Sequence, residues 1–501
     1  MLRFALITCI ITFYSLNIFA QEQQYTSISL EEAAQLLYKN NNTLKSSEKN
    51  LEIAKGQKQQ LNSAWYPFIS ATGGYTYLSN NIEAKASIAE ITEPLKDPIS
   101  NILPDIKQIL PSLVQKFPEI AQLLPKLNSM LSNIGSINLS FPLLEQNLSQ
   151  IDLTLLWPVF TGGKRIYSGK IGKEIEGAAK NLNNKTIQTQ YALMIQAYYS
   201  LKLCQEVIKV NNESVNCMTQ LYNNAKSLLN NGFINKAELL VAQVAMEEAI
   251  RELENSKEAE KVAQNALSTI IGCIGNTHPS SNFFIIANIP SQDYYNQLVI
   301  ENNSQLKALD NQIGIISQQN KIAKSNYLPN IALFAKQNIY SYNVPKNLSP
   351  RTVIGAAAQW TLFDGLNREK SIKVSNLEYN KLLESRTQIE KDLILAAHKL
   401  RSNMIEALNN LKVLTSTINL STELLRVREK SFAEGMANST DVVTAQTMLA
   451  KAKIASHLAY WQFDTSLAAL LALCSNIEDF INLYNTQFNI TKNSILPTEN
   501  N

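Results

Sequence analysis

The chain has 501 residues, of which 17% are charged, and a formal net charge of +3. This balance gives no reason to expect nucleic acid or a strongly acidic partner. Only 16 glycines and 15 prolines occur, and this scarcity favours long helices over a loop-rich fold.

Residues 1–20 have the pattern of a secretory signal peptide. Arg3 supplies a positive start, an apolar core follows, and Ala20 precedes a cleavage site before Gln21. A membrane anchor is the alternative, although the core offers about 16 apolar-rich residues where a spanning helix needs about 20. No later window reaches that length, so we expect an exported chain in which any membrane crossing is made by strands.

A first structural repeat is predicted over 21–272. Its opening polar run, 30–64, has the composition of a helix and ends at "AWYPF", where Pro67 disfavours helix in the residue before it. Strands follow over about 68–79 and 137–160, because small and polar residues are interleaved there with apolar and aromatic ones.

The segment 80–136 is an insertion between these strands. Four of its prolines recur every seven residues: Pro104, Pro111, Pro118 and Pro125. A proline inside a helix costs about 3 kcal/mol, so we expect short or bent helical pieces in this Pro-heptad loop.

Two long helices, 164–231 and 236–272, complete the first repeat. In the longer one, apolar residues keep the spacing of a coiled-coil seam: Ile187, Tyr191, Met194, Tyr198, Leu201 and Ile208. A helix of this length rises about 100 Å, several times the width of a compact domain. Such helices cannot surround one globular core, so we expect them to lie side by side as a bundle or tube.

The same plan returns in a second repeat over 273–475. Its helices are predicted at 291–326, 367–434 and 439–474 and its strands at about 329–342 and 351–363, with a polar C-terminal tail at 476–501. Two gapless registers relate the repeats, one shifted by 203 positions and the other by 262. They pair Trp157 with Trp360, Phe160 with Phe363, Arg165 with Arg368 and Gly232 with Gly435, and then Asn41 with Asn303, Leu44 with Leu306 and Pro67 with Pro329.

The strands set a separate requirement. A barrel in an outer membrane needs at least about 8 strands, since an open edge in lipid leaves backbone groups without hydrogen-bond partners. Each chain has only the four predicted here, so several chains would have to share one barrel. A soluble helical protein with two small hairpins is the alternative interpretation.

The most specific local motif is a turn that occurs twice, in "NGFINKAELLVAQ" and "EGMANSTDVVTAQ". Gly232 and Gly435 suit the left-handed position that ends a helix. Asn235 and Asn438 are good N-caps for the returning helix, and Glu238 and Asp441 are placed to reach back to the cap amide. Each repeat therefore contains one long helical hairpin with one tight reversal.

The chain resembles the TolC-like outer-membrane efflux and secretion channels. The resemblance covers nearly the whole mature chain and rests on "ISLEEAAQLLYKNN", the "YPF" and "YLP" junctions, "WPVFTGGKR" with "WTLFDGLNR", and the two turns. It implies a mainly α fold with membrane β. Duplicated long-helix hairpins would form an α-helical tunnel in the periplasm, and four strands per chain would contribute to a 12-stranded barrel shared by a homotrimer.

The resemblance also implies partners and sites. A periplasmic adaptor (membrane fusion) protein and an inner-membrane pump or ABC transporter would open the tunnel to export small molecules or proteins, and outer-membrane lipid would surround the barrel. Residues implied for the adaptor-facing tips are Gly232, Phe233, Ile234, Gly435, Met436 and Ala437. Asp441 matches an acidic pore-constriction position, whereas the second position, three residues on, is Thr444. A cap alone is the competing role for Asp441.

Aromatic residues gather at the strand–helix junctions: Trp65, Tyr66, Trp157, Phe160, Tyr327, Trp360 and Phe363. We interpret them as an interfacial aromatic belt on the periplasmic side of the outer membrane. Packing of the barrel–tunnel joint is the alternative. The Pro-heptad loop would lie outside the cell, where it caps the pore, binds a surface partner or shields the barrel rim.

We expect no enzyme, cofactor or metal. His278, His398 and His457 are isolated, and no phosphate loop, metal-ligand spacing or nucleophile motif occurs. A periplasmic coiled-coil adaptor or scaffold without a pore is the rival function, but two full-length hairpins with their own strand pairs favour the channel. Cys204, Cys217, Cys273 and Cys474 are interpreted as free thiols, with a Cys273–Cys474 disulfide as the alternative.

Overall fold

The computed structural model describes residues 26–77, 85–87, 138–140, 147–273, 277–286, 288–342 and 350–486. The predicted signal peptide, the Pro-heptad loop apart from 85–87, and residues 487–501 of the predicted polar tail lie outside these residues. The described start of that tail corrects the prediction, because Ile477 and Phe480 are buried in the core. The chain divides into two compact units. A sheet unit comprises Lys55–Ile175 and Ile313–Lys381, and a helical unit comprises Met1–Ala54, Glu176–Gln312 and Leu382–Asn501, each as far as it is described.

The elements include the helices and the four long strands in the predicted order, together with short strands that were not predicted. They are β1 (Thr26–Ile28), α1 (Leu30–Asn40), α2 (Asn42–Asn62), β2 (Phe68–Tyr77), β3 (Lys85–Ser87), β4 (Asn138–Ser140), β5 (Asn147–Thr161), α3 (Lys164–Asn230), α4 (Lys236–Ile271), β6 (Thr277–Pro279), α5 (Gln292–Asn302), α6 (Ser304–Ser325), β7 (Asn330–Tyr342), β8 (Thr352–Gln359), α7 (Asn367–Ala433) and α8 (Ser439–Leu473). A 3₁₀ turn, Ser63–Trp65, joins α2 to the sheet.

The sheet unit is built on one antiparallel four-stranded sheet in the order β2-β5-β7-β8. The pairing of β5 with β7 shifts register twice, between Ile151 and Asp152 and between Pro158 and Phe160. Proline has no amide hydrogen for the ladder, which accounts for an irregularity at Pro158. Strands β2 and β8 are the two edges of this sheet.

The helical unit has a core in which the predicted seam takes part. Met194, Tyr198 and Leu201 are fully buried, and Ile187 and Tyr191 pack at the edge of the same cluster. The Tyr198 hydroxyl donates to the carbonyl of Ile28 at 2.8 Å. It also accepts from the amide of Ser281 at 2.9 Å. This buried tyrosine therefore links the last residue of β1 to the segment just after β6, at the C-terminal end of the short parallel pair.

The predicted helices 30–64 and 291–326 are each broken into two, a correction that concerns Asn41 and Asn303. Both asparagines have extended backbone angles, with ψ of 120° and 121°. The Asn41 side chain accepts from the Leu44 amide at 3.0 Å and donates to the carbonyl of Ile270 at 2.9 Å. An asparagine side chain that bonds nearby backbone groups competes with the helix, so the helix stops and restarts there.

Asn303 makes the same two contacts in the second repeat. Its side chain accepts from the Leu306 amide at 3.1 Å and donates to the carbonyl of Leu473 at 2.8 Å. Each asparagine therefore starts one helix and closes the C-terminal end of the returning helix of its own repeat. This double role accounts for the identity of Asn41 and Asn303 in the 262-residue register.

Two predicted strands differ from those in the structure. The strand predicted over 137–160 begins at Asn147, and Asn138–Ser140 pairs instead with Lys85–Ser87. The strand predicted over 351–363 ends at Gln359, because the backbone beyond it turns into the corner that leads to α7. Among the described residues, no helix combines the length and apolar content needed to cross a membrane. Cys204, Cys217, Cys273 and Cys474 are free thiols.

Candidate functional site

One face of the four-stranded sheet, here called the apolar face, has large side chains that no other described part of the chain covers. In the register of the strands, Ile69 lies opposite Leu155, Ile151 opposite Tyr340, and Ala335 opposite Ile354. Ile354 is 78% exposed and Ile69 60% exposed. A soluble protein rarely leaves an apolar surface of this kind without a partner.

The opposite face, here called the polar face, contains both charged residues of the sheet. Asp152 on β5 and Lys336 on β7 form an ion pair with 2.7 Å between Oδ2 and Nζ. The side-chain amide of Gln150 donates to both Asp152 oxygens at 2.7 and 2.8 Å, and that of Asn338 donates to Oδ1 at 3.0 Å. The carboxylate is thus fully satisfied within one chain.

Where β5 passes into α3, an arginine is stacked on the preceding aromatic corner. The Arg165 guanidinium lies 4.3 Å from the ring centroid of Trp65 and donates to the carbonyl of Val159. The Trp157 indole N–H donates to the carbonyl of Trp65 at 3.1 Å. A cation over an aromatic face and a bonded indole together fix the angle between strand and helix.

The corner before α7 repeats this arrangement. Arg368 lies 4.6 Å from the ring centroid of Tyr327, and the Trp360 indole donates to the carbonyl of Tyr327 at 3.0 Å. The Arg368 guanidinium also donates to the carbonyls of Asn326, Thr361 and Leu362 at 2.9–3.3 Å. The Tyr327 hydroxyl donates to Glu369 at 2.6 Å, and this bond lowers the pKa of the Glu369 carboxyl.

All seven residues of the predicted aromatic belt lie at these corners or beside them, and all are exposed: Trp65, Tyr66, Trp157, Phe160, Tyr327, Trp360 and Phe363. Both corner tryptophans also bond the backbone of the joint. Trp157 and Trp360 therefore take part in the joint, one of the two roles considered from sequence, whereas the interfacial belt stays a prediction.

The two predicted turns have the geometry of helix C-caps that end in a left-handed glycine. Gly232 and Gly435 have φ of 76° and 75°. The amides of Phe233 and Met436 reach back to the carbonyls of Leu228 and Ser431, at 2.9 and 2.8 Å. These bonds satisfy carbonyls that the helix end leaves free. Phe233 and Met436 are 73% and 72% exposed, whereas Ile234 and Ala437 pack inward.

The caps of the two returning helices differ. Asn235 accepts from the Glu238 amide at 3.0 Å, whereas the Asn438 amide donates to the Asp441 carboxylate at 3.3 Å. Glu238 does not reach back to its own cap residue. Its carboxylate accepts from the amide of Ser439 at 2.8 Å, and the Ser439 hydroxyl donates to the Glu238 carbonyl at 3.1 Å. Glu238 thus links the first turn to the second.

Asp441 and Thr444, the predicted constriction residues, both have partners within the chain. The Asp441 carboxylate lies 3.8 Å from the Arg428 guanidinium. The Thr444 hydroxyl donates to the carbonyl of Thr440 at 2.8 Å. The Asp441 side chain keeps 40% of its surface exposed, so its carboxylate is paired but still open to solvent.

A cavity of about 240 Å³ lies between the helices just above the turns. Its lining includes Cys217, Asn224, Glu429, Phe432 and Val442. The Cys217 thiol donates to Glu429 at 3.2 Å, and burial together with this carboxylate raises the pKa of Cys217 to about 12. The thiol is therefore protonated and unreactive at neutral pH. No three His, Cys, Asp or Glu side chains in the described ranges are grouped as metal ligands.

Sequence reasoning assigned no role to four of these residues. Arg165 and Arg368 were visible as a repeated pair, and that identity was the available signal. Asp152 and Lys336 gave none, because they are far apart in sequence and meet only through the pairing of β5 with β7.

Together, a two-faced antiparallel sheet and two pairs of long helices closed by tight turns define the class of tunnel-forming export channels. The chain belongs to the outer membrane efflux protein family, whose sequence model matches residues 120–273 and 296–476. The resemblance to TolC-like channels and the fold class of duplicated helical hairpins are thereby confirmed, and the function class is that of an efflux duct.

Solved structures have the same fold at low identity. CusC is 10% identical with a TM-score of 0.69, covering 89% of this chain and 91% of its own. VceC from Vibrio cholerae is 13% identical with a TM-score of 0.67, covering 89% and 96%. The open state of MtrE from Neisseria gonorrhoeae is 13% identical with a TM-score of 0.67, covering 89% of each chain. No curated protein sequence matches this chain.

Proposed function

We propose that three copies of this chain form one outer-membrane exit duct for a tripartite efflux pump or a type I secretion system. The observation that supports this most directly is the four-stranded sheet with two edges and an uncovered apolar face. Joining β8 of one copy to β2 of the next would satisfy both edges, and three copies would give a closed barrel of twelve strands.

The two faces of the sheet then have defined surroundings. The apolar face, with Ile69, Ile151 and Ile354, contacts outer-membrane lipid. The polar face, with Asp152 and Lys336, lines the lumen. Strands that alternate in this way are typical of membrane barrels with polar interiors. The exposed aromatic residues at the corners lie at the periplasmic boundary of the lipid, as interfacial aromatic residues do.

In this proposal the repeats 21–272 and 273–475 each supply one strand pair to the barrel and one hairpin to a periplasmic tunnel. The tips at Gly232–Phe233–Ile234 and Gly435–Met436–Ala437 face a periplasmic adaptor, which connects the duct to an inner-membrane pump or ABC transporter. The exposed Phe233 and Met436 provide apolar contact area there. Three Asp441 carboxylates beside Thr444 form a cation-attracting constriction.

The first test is planar-bilayer conductance of the mature protein, with its oligomer mass measured in the same detergent. We expect a trimer and discrete conductance steps. A monomer in buffer without conductance would contradict the proposal and favour a scaffold without a pore.

Ala71 and Thr72 provide a matched pair of variants, because they are neighbours on β2 that lie on opposite faces. We expect Ala71→Lys to lose assembly in the membrane, since a lysine facing lipid costs about 2–4 kcal/mol near the midplane. Thr72→Lys should keep the trimer and its conductance steps. The reverse result would mean that the two faces have been assigned the wrong way round.

A further inference from the structure

The charged side chains of the four-stranded sheet are few and specifically placed. Strands β2 and β8 contain none, β5 contains only Asp152, and β7 contains only Lys336. Both lie on the polar face and neutralise each other across the β5–β7 pairing. This face therefore has ionic groups but no net charge.

The pair is held in place by more than its own attraction. The register shift between Ile151 and Asp152 brings Asn338 directly opposite Asp152, and the Asn338 amide donates to the carboxylate at 3.0 Å. Gln150 donates from the same strand. The Asp152 and Lys336 side chains are only 9% and 23% exposed. Gln150, Asn338 and Lys336 thus hold the carboxylate against the sheet. Without these partners, the acid would extend into the proposed lumen.

We propose that the Asp152–Lys336 pair is a specificity-determining element of the duct, because it keeps the barrel wall electrically neutral and lets cargo of either charge pass. This inference rests on the proposed trimer, in which three such pairs would ring the lumen. Removing one partner leaves three like charges of the other sign on the wall. Such rings of fixed charge set ion preference in pores.

The size of the effect depends on salt. The screening length is about 30 Å at 0.01 M salt and about 3 Å at 1 M, so a ring of wall charges acts across the lumen only in dilute salt. The test is therefore the permeability ratio of K⁺ to Cl⁻, taken from reversal potentials across a KCl gradient of about 0.01 M to 0.1 M. An Asp441→Asn background is used throughout, so that carboxylates at the turns do not set the ratio.

We expect Lys336→Gln to raise the K⁺/Cl⁻ permeability ratio at least twofold and Asp152→Asn to lower it at least twofold. The double variant should return to the ratio of the background protein, because the wall is neutral again. Both single-variant shifts should vanish at 1 M KCl. Single variants that form trimers with unchanged conductance steps and an unchanged ratio in dilute salt would overturn the inference.

Thr72 provides a second series that leaves the pair intact, because Thr72 lies beside Asp152 on the same face. Thr72→Asp should raise the ratio and Thr72→Lys should lower it, so the inference remains testable when a single variant of the pair fails to assemble. An equal ratio in both Thr72 variants would overturn it. A parent chain that forms no trimer and no pore would contradict the proposed function instead.

Discussion

At the strand–helix corners and at the asparagine junctions, the second repeat reproduces the central contacts of the first. Arg165 and Arg368 each stack on an aromatic ring. Asn41 and Asn303 each bond the end of their returning helix. These contacts lie inside one repeat, so a duplicated sequence reproduces them without any adjustment.

The turns and the returning helices behave differently. Glu238 bonds Ser439 in the other repeat, whereas Asp441 bonds its own cap. Asp464 on α8 is fully buried, whereas Lys261, its counterpart in the 203-residue register, is exposed on α4. The Glu238–Ser439 contact joins the two repeats, so the two copies of the turn have different surroundings there and duplication alone does not make their contacts alike. Asp464 differs from Lys261 even though its partner, Phe284, lies in the same repeat.

The largest effect is expected from variants that break the asparagine junctions. Asn303→Ala removes partners from the Leu306 amide and the Leu473 carbonyl, and unsatisfied buried groups of this kind cost about 1–3 kcal/mol each. We expect the free energy of unfolding to fall by about 3 kcal/mol, and by a similar amount for Asn41→Ala. Urea unfolding followed by circular dichroism measures both.

Asn303→Ser is the matched control, because a serine side chain can still cap α6 whereas the donor to Leu473 is lost. It should cost about half as much as the alanine variant. Losses for Asn41→Ala and Asn303→Ala that differ by more than about 2 kcal/mol would show that the junctions are not equivalent.

The second prediction sharpens the contrast between Asp464 and Lys261. Burial raises the pKa of Asp464 well above its usual value of 3.8. Its Oδ2 accepts only a long bond from the Phe284 amide, and its Oδ1 has no hydrogen-bond partner. The folded state therefore keeps a proton that the unfolded state loses above pH 4. Stability is then lost as pH rises, by about 1.4 kcal/mol per pH unit, until the folded-state pKa is passed.

Asp464→Asn should remove this slope. The variant should gain stability relative to the parent protein from pH 4 upward, and the difference should disappear below pH 4. Lys261→Gln is the control at the corresponding exposed position and should change stability by less than about 0.5 kcal/mol. Parallel pH profiles for the parent and Asp464→Asn would contradict the prediction.

The smallest expected effect is the difference in stability loss between variants at the two strand–helix corners. Arg368 donates to three backbone carbonyls, whereas Arg165 donates to the carbonyl of Val159. We expect Arg368→Gln to lower the free energy of unfolding by about 2 kcal/mol and Arg165→Gln by about 1 kcal/mol. Tryptophan fluorescence during urea unfolding suits the measurement, because three of the four tryptophans lie at the corners. Equal losses would mean that stacking, not carbonyl bonding, holds both joints.

The sequence was most informative where a local rule applies. The turn glycines, the seam through Tyr198 and the repeated corner followed from spacing and from identity between repeats. The helix break at Asn41 did not, because an asparagine inside a polar helical run is only mildly unfavourable until a second partner, here the Ile270 carbonyl, is known. Glu238 was assigned to its own cap because the capping box is a local rule, whereas its actual partner lies in the other repeat.

The asparagine junctions also affect how fast the chain can fold. Asn41 and Ile270 are 229 residues apart, and Asn303 and Leu473 are 170 apart. Folding slows as contacts join more distant parts of a chain, because the intervening loop must be closed first. Asn41 and Ile270 both precede Asn303 in the chain, so the first junction can close without any residue of the second. The duplicated design thereby divides one very long search into two shorter ones that do not depend on each other.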